Sequence, residues 1–106
     1  MKLTITPEAQ GKINELNVHN LNFLQLKYDT KGLGCGVNGL PTFILVSRKE
    51  DKHFEVDNNT FPTIIEKMQA VFFADDMKLD YINGMFRLSS PEGILNPFIS
   101  TSSIVE

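Results

Sequence analysis

The sequence predicts an α+β domain, a compact β-rich fold of short mixed or antiparallel strands with one helix near the N-terminus, and three observations predict it. Segments of period two recur along most of the chain, only one stretch carries a helical period, and strands and helices do not alternate as a doubly wound parallel sheet requires. The chain of 106 residues fits a single domain, residues 1–106, that buries one core.

The elements follow in order. Residues 2–6, KLTIT, alternate apolar and polar with Leu3 and Ile5 on one face, the pattern of a short strand. Thr6 then reads as an N-cap, Pro7 as the first helical residue and Glu8 as a carboxylate at the positive end of the helix dipole. Ala9, Ile13 and Leu16 recur at helical spacing, so a helix is expected to run to near Asn17. Residues 23–29 alternate again, with Leu24, Leu26 and Tyr28 inward, and residues 42–46, TFILV, read as a more deeply buried strand. Phe54 and Val56 mark a strand over 53–57, and the mixed-sign run SRKEDK before it reads as a solvated hairpin turn joining it to TFILV.

After Asn58-Asn59, a short strand is expected at 63–65 and a short irregular segment at 67–73, with VFF at 71–73 read as core. Met77, Leu79 and Tyr81 alternate, as do Phe86 and Leu88, and Asn83-Gly84 between them supplies a type I′ turn, the strongest hairpin signal in the chain. Pro91, Gly93 and Pro97 limit the remainder to a looping tail with one edge strand.

Composition narrows the function classes. A net charge of −3 without clustered lysine and arginine argues against nucleic-acid binding. No apolar run approaches the roughly 18 residues of a membrane span, and the N-terminus lacks a signal peptide's apolar region, so a cytoplasmic protein is expected. A single cysteine forms no internal disulfide, which suits a reducing compartment.

The chemistry concentrates in KGLGCGVNGLP, residues 31–41. Gly34, Gly36 and Gly39 spell G-x-G-x-x-G, but a dinucleotide loop opens a helix, and Leu40-Pro41 leads into a strand. A kinase-type glycine loop would need catalytic and metal-binding motifs that do not follow. Two readings of Cys35 stand on the residues alone. Flanking glycines can expose the sulfur beside backbone amides that favour thiolate, or the residue is a small apolar cysteine in a turn. His19 and His53, the only candidate bases, read as surface histidines, and Asp75-Asp76 reads as a solvated turn. A redox-sensing role for Cys35 would lack a resolving cysteine. No constellation supports an enzyme.

MKLTITPEAQGKINEL, LQLKYDTKGLGCGVNGLPTFILV and KLDYINGMFRLSSP together resemble, in order and spacing, the HesB/IscA-like family of iron–sulfur cluster assembly proteins, the A-type carriers. The resemblance spans nearly the whole chain. It implies a HesB-like domain, often a homo-oligomer, whose better-known members carry iron or an iron–sulfur cluster among assembly proteins and apoprotein recipients. It also implies a ligand set of one loop cysteine and two in a C-terminal C-G-C. Cys35 matches the loop position and is the metal and cofactor ligand the resemblance implies. The tail position, residues 96–100, reads NPFIS and carries no cysteine. The expectation is therefore a non-enzymatic family member linked to cluster assembly or iron binding, whose incomplete ligand set is shared with another subunit or partner. The alternative is a member that keeps the fold as a protein-interaction or regulatory module without metal chemistry.

Overall fold

The computed structural model describes residues 1–29 and 39–105. Strand β1 spans Lys2–Ile5 and buries Leu3 and Ile5, as the alternation requires. Helix α1 spans Pro7–Leu16; the Thr6 hydroxyl accepts from the Ala9 N–H at 3.2 Å and donates to the Asp80 carboxylate at 3.0 Å. One threonine thus caps the helix and ties it to a distant strand. The helix turns Ala9 and Ile13 into the core, the face set by their four-residue spacing.

The remaining strands are β2 (Phe23–Asp29), β3 (Leu40–Val46), β4 (His53–Asn58), β5 (Thr63–Glu66), β6 (Asp76–Ile82), β7 (Met85–Ser90) and β8 (Gly93–Ile99). They form one eight-stranded sheet in the order β3-β2-β5-β4-β1-β6-β7-β8. Parallel pairs β1–β4, β1–β6 and β2–β5 sit among antiparallel pairs, so the sheet is mixed. β4 ends at Asn58, opposite Leu3, and so does not reach Ile5. Asn59 completes that edge with its side chain, accepting from the Ile5 N–H at 2.9 Å and donating to the Ile5 carbonyl at 3.0 Å.

The sheet curls until its two ends meet. Pro41 lies in β3, an end strand of the sheet order, where its missing N–H costs no ladder bond. The Asn96 side-chain amide of β8 donates to the Pro41 carbonyl at 2.8 Å, and the Leu45 N–H of β3 donates to the Ile104 carbonyl of the tail at 2.8 Å. Inside the curl lie Leu3, Ile13, Leu26, Phe43, Phe86 and Leu88, all nearly inaccessible. Phe86 meets Phe43 and Tyr81 edge-on at centroid distances of 5.1 and 5.0 Å. The Asn83-Gly84 turn joins β6 and β7 with both residues at positive φ, as type I′ demands.

Three expectations need correction. SRKEDK does not join a hairpin, because β3 pairs with β2 while β4 pairs with β5; the charged run is the start of a crossover between strands that lie apart in the sheet. Val71 and Phe72 are not core: residues Lys67–Phe72 form a 3₁₀ segment over the end of β2, and Val71 is 81% exposed. His53 is not a surface histidine. It is 5% exposed, because the Glu50–His53 turn folds back on itself and the ring accepts the Glu50 N–H at Nδ1, 3.0 Å. Among the described residues no helix is long and apolar enough to cross a membrane.

Candidate functional site

Cys35 and most of its loop, residues 30–38, lie outside the described residues; the strands that carry the loop do not. β2 and β3 are paired antiparallel along their full length, from Phe23 opposite Val46 to Asp29 opposite Leu40. The loop therefore leaves and returns at neighbouring positions. Its departure is fixed by Leu24 and Leu26, buried in the core, and its return by buried Phe43 and Leu45.

Beside these roots stands the tail. Asn96 is only 6% exposed, and while its amide holds the Pro41 carbonyl, its Oδ1 accepts the Phe98 N–H at 3.1 Å. The register of β7 against β8 shifts here, from Leu88 opposite Asn96 to Phe86 opposite Ile99, so β8 carries one extra residue in a bulge around Pro97. Proline suits that position because an end-strand bulge leaves no ladder bond for it to donate. The chain then turns through Thr101–Ser103, with the Ser103 hydroxyl donating to the Ser100 carbonyl at 2.8 Å.

Between the loop roots and the tail lies a cleft of about 230 Å³, lined by Lys27, Asp29, Leu40, Thr42, Ser100 and Ser103 among others. Its described polar groups are hydroxyls, a carboxylate, the Asn96 amide and an ammonium. The hydroxyl and carboxylate oxygens are hard donors that suit iron as a cation better than they suit a sulfide-bridged cluster, which takes thiolates; the Lys27 ammonium has no lone pair to offer either. Apolar side chains flank it: Leu40 is 49% and Phe98 69% exposed. On the other side of the roots, Tyr28 stacks on Phe72 with centroids 3.8 Å apart, and the Tyr28 N–H donates to the Gln69 side chain at 3.0 Å.

The structure thus brings the loop roots to the tail segment 96–100, and it gives that segment a specific task. Asn96 latches β8 to β3. The latch was not foreseen from sequence; the Asn-Pro pair, with its short side-chain amide ahead of a proline, was the available signal. Asp75 and Asp76 are exposed, as expected, with the Asp75 carbonyl accepting the Lys2 N–H at 2.8 Å. His19 is exposed and His53 buried, and both line a second cleft beside Val46, at the end of the β2–β3 pair away from the cysteine loop. Among the described residues no group of three or more histidine, cysteine or acidic side chains is placed to hold a metal ion.

Comparison with known proteins places this architecture. A family model described as iron–sulphur cluster biosynthesis matches residues 1–103. YqkB of Bacillus subtilis, an uncharacterized protein, is 37% identical over 78 residues, covering 72% of this chain and 73% of its own. Among solved structures, a protein of Lactobacillus acidophilus described as a candidate for Fe–S biosynthesis superposes with a TM-score of 0.78 at 18% identity, over 100% of this chain and 90% of that one. A structure of IscA with the [2Fe-2S] cluster gives a TM-score of 0.64 at 15% identity, over 91% of this chain and 97% of that one. The two structural likenesses speak for the fold alone. The family match runs from the first strand, through the cysteine loop and the latch, to the last turn, and by it the chain belongs to the iron–sulphur cluster biosynthesis family.

Proposed function

We propose that this protein takes part in iron–sulfur cluster assembly as a non-enzymatic cytosolic binder of iron or of a cluster, with Cys35 as its thiolate ligand. The observation that carries the reading is the convergence of the cysteine loop's roots, Asp29 and Leu40, with the tail segment that holds Asn96 and Ser100. The family match supports a role in cluster biosynthesis, and the space between loop and tail is where this reading puts the cargo.

The donor set limits the form of the cargo. One chain carries one cysteine, and clusters are normally held by several thiolates. A whole cluster therefore does not fit a single copy. It fits between copies, each contributing Cys35, or between this chain and a partner protein that supplies the missing thiolates. The oxygen donors of the cleft suit a bare iron ion beside the Cys35 thiolate. Asn96 is committed to the latch and takes no part as a ligand.

A second reading draws on the exposed apolar residues Leu40 and Phe98 at the rim of the same cleft. It makes the protein a module that docks a partner of the assembly machinery without metal. Anaerobic reconstitution with iron and sulfide, followed by absorption spectroscopy on the wild type and on Cys35→Ser, separates the two. The cargo reading expects a chromophore that the substitution abolishes. No chromophore in either protein, together with a partner retained equally by both, leaves the docking reading.

A further inference from the structure

The far end of the β2–β3 pair carries a feature that cluster chemistry does not use. His53 is 5% exposed, and its Nε2 is buried with no hydrogen-bond partner among the described residues. The ring is held in one orientation, since Nδ1 accepts the Glu50 N–H at 3.0 Å while the His53 N–H donates to the Glu50 carbonyl at 3.0 Å. A neutral imidazole that accepts at Nδ1 carries its proton on Nε2. His53 therefore holds a donor in reserve. A metal ion would need a lone pair on Nε2, and the Glu50 amide has already taken the ring's one acceptor.

This histidine is among the residues that line a cleft of about 390 Å³, together with the polar side chains of His19, Gln25, Ser47, Arg48 and Glu50. Arg48 is exposed and forms no ion pair among the described residues. Glu50 would oppose an anion, but its carboxylate faces the Lys52 ammonium at 3.9 Å, and that ammonium is shared with Glu66. Among the side chains that line the cleft, the Arg48 guanidinium is the one permanent cation, and its forked donors match the two oxygens of a carboxylate or phosphate. The Gln25 amide adds donors, and the buried His53 Nε2–H supplies a neutral one.

We infer that this cleft is a binding site for a small oxyanion, a carboxylate or phosphate group, held by Arg48 and by the Nε2–H of His53. The site stands apart from the cysteine loop and does not depend on the proposed function. Arg48 is the residue to change, because it is exposed and the fold does not rest on it. Inorganic phosphate and citrate are titrated separately into the wild type and Arg48→Gln, following the His53 ring nitrogens and the amides of residues 45–48 by NMR. The expected result is a saturable shift at the His53 ring, with affinity about tenfold weaker in Arg48→Gln. Saturation by phosphate alone assigns a phosphate ligand, and by citrate alone a carboxylate ligand. The inference is overturned if neither probe saturates, or if Arg48→Gln binds as well as the wild type.

Discussion

Replacing Asn96 with alanine tests how the loop and the tail are held together. The side chain makes two hydrogen bonds, to the Pro41 carbonyl at 2.8 Å and from the Phe98 N–H at 3.1 Å. Pro41 is buried, so its carbonyl loses its side-chain donor where water does not reach, at a cost of about 1–3 kcal/mol. Phe98 is exposed, and its N–H regains water, so that bond adds only about 0.5–1 kcal/mol. The expected loss is about 2–3 kcal/mol. For a domain of this size that lowers Tm by roughly 10–20 °C, read by calorimetry or by circular dichroism on heating.

Asn96→Asp sharpens the test. It keeps an acceptor for the Phe98 N–H but sets a carboxylate oxygen against the Pro41 carbonyl, which disfavours the charged form and raises the folded-state pKa above the unfolded one. A raised pKa contributes stability below the unfolded value, near pH ~4, that is lost as pH rises through the folded value. Asn96→Asp should therefore lie closer to the wild type in acid than at neutral pH. An Asn96→Ala protein melting within about 2 °C of the wild type would refute the latch and leave the closure to the Leu45–Ile104 bond and the core.

Two further substitutions test other joints of the fold. Thr6→Ala removes both the cap of α1 and its bond to Asp80, and should cost about 1–2 kcal/mol in urea unfolding with an unchanged slope. Gly84→Ala meets no atom of the described residues within 4 Å, yet φ at that residue is +83°, so backbone strain alone should cost about 1 kcal/mol, measured in the same way.

The local structure was legible wherever chemistry acts over a few residues. Thr6-Pro7-Glu8 marked the start of α1 and Asn83-Gly84 the β6–β7 turn, because caps and turns are set by neighbours in sequence. The bounds of β2 matched its alternation residue for residue. What failed depended on distant partners. SRKEDK shows that the chain turns, but the pairing of β4 with β5 and of β2 with β5 is decided by which buried faces fit across the sheet. Val71 and Phe72 are apolar enough for a core, yet the 3₁₀ segment that carries them sits over a strand end, where Phe72 stacks on the ring of Tyr28 and stays 45% exposed.

The candidate site was legible in a different proportion. Family resemblance put the cysteine loop beside the tail, and the pairing of Asp29 with Leu40 next to Asn96 agrees with it. The role of NPFIS was hidden, since the absence of cysteine says what the segment cannot ligate and nothing of what it holds. His53 was hidden too, because a histidine beside charged residues is usually solvated, and only the Glu50–His53 turn buries it.

The central claim is that Cys35 is the thiolate ligand of the cargo, and that a whole cluster needs a second thiolate source beside it. Native mass spectrometry of the anaerobically reconstituted protein, beside Cys35→Ser, tests it most directly. For the protein alone the account predicts iron loading that the serine variant lacks, with any whole cluster bridging two copies. A monomer carrying a complete cluster, or a Cys35→Ser protein that loads like the wild type, would contradict it.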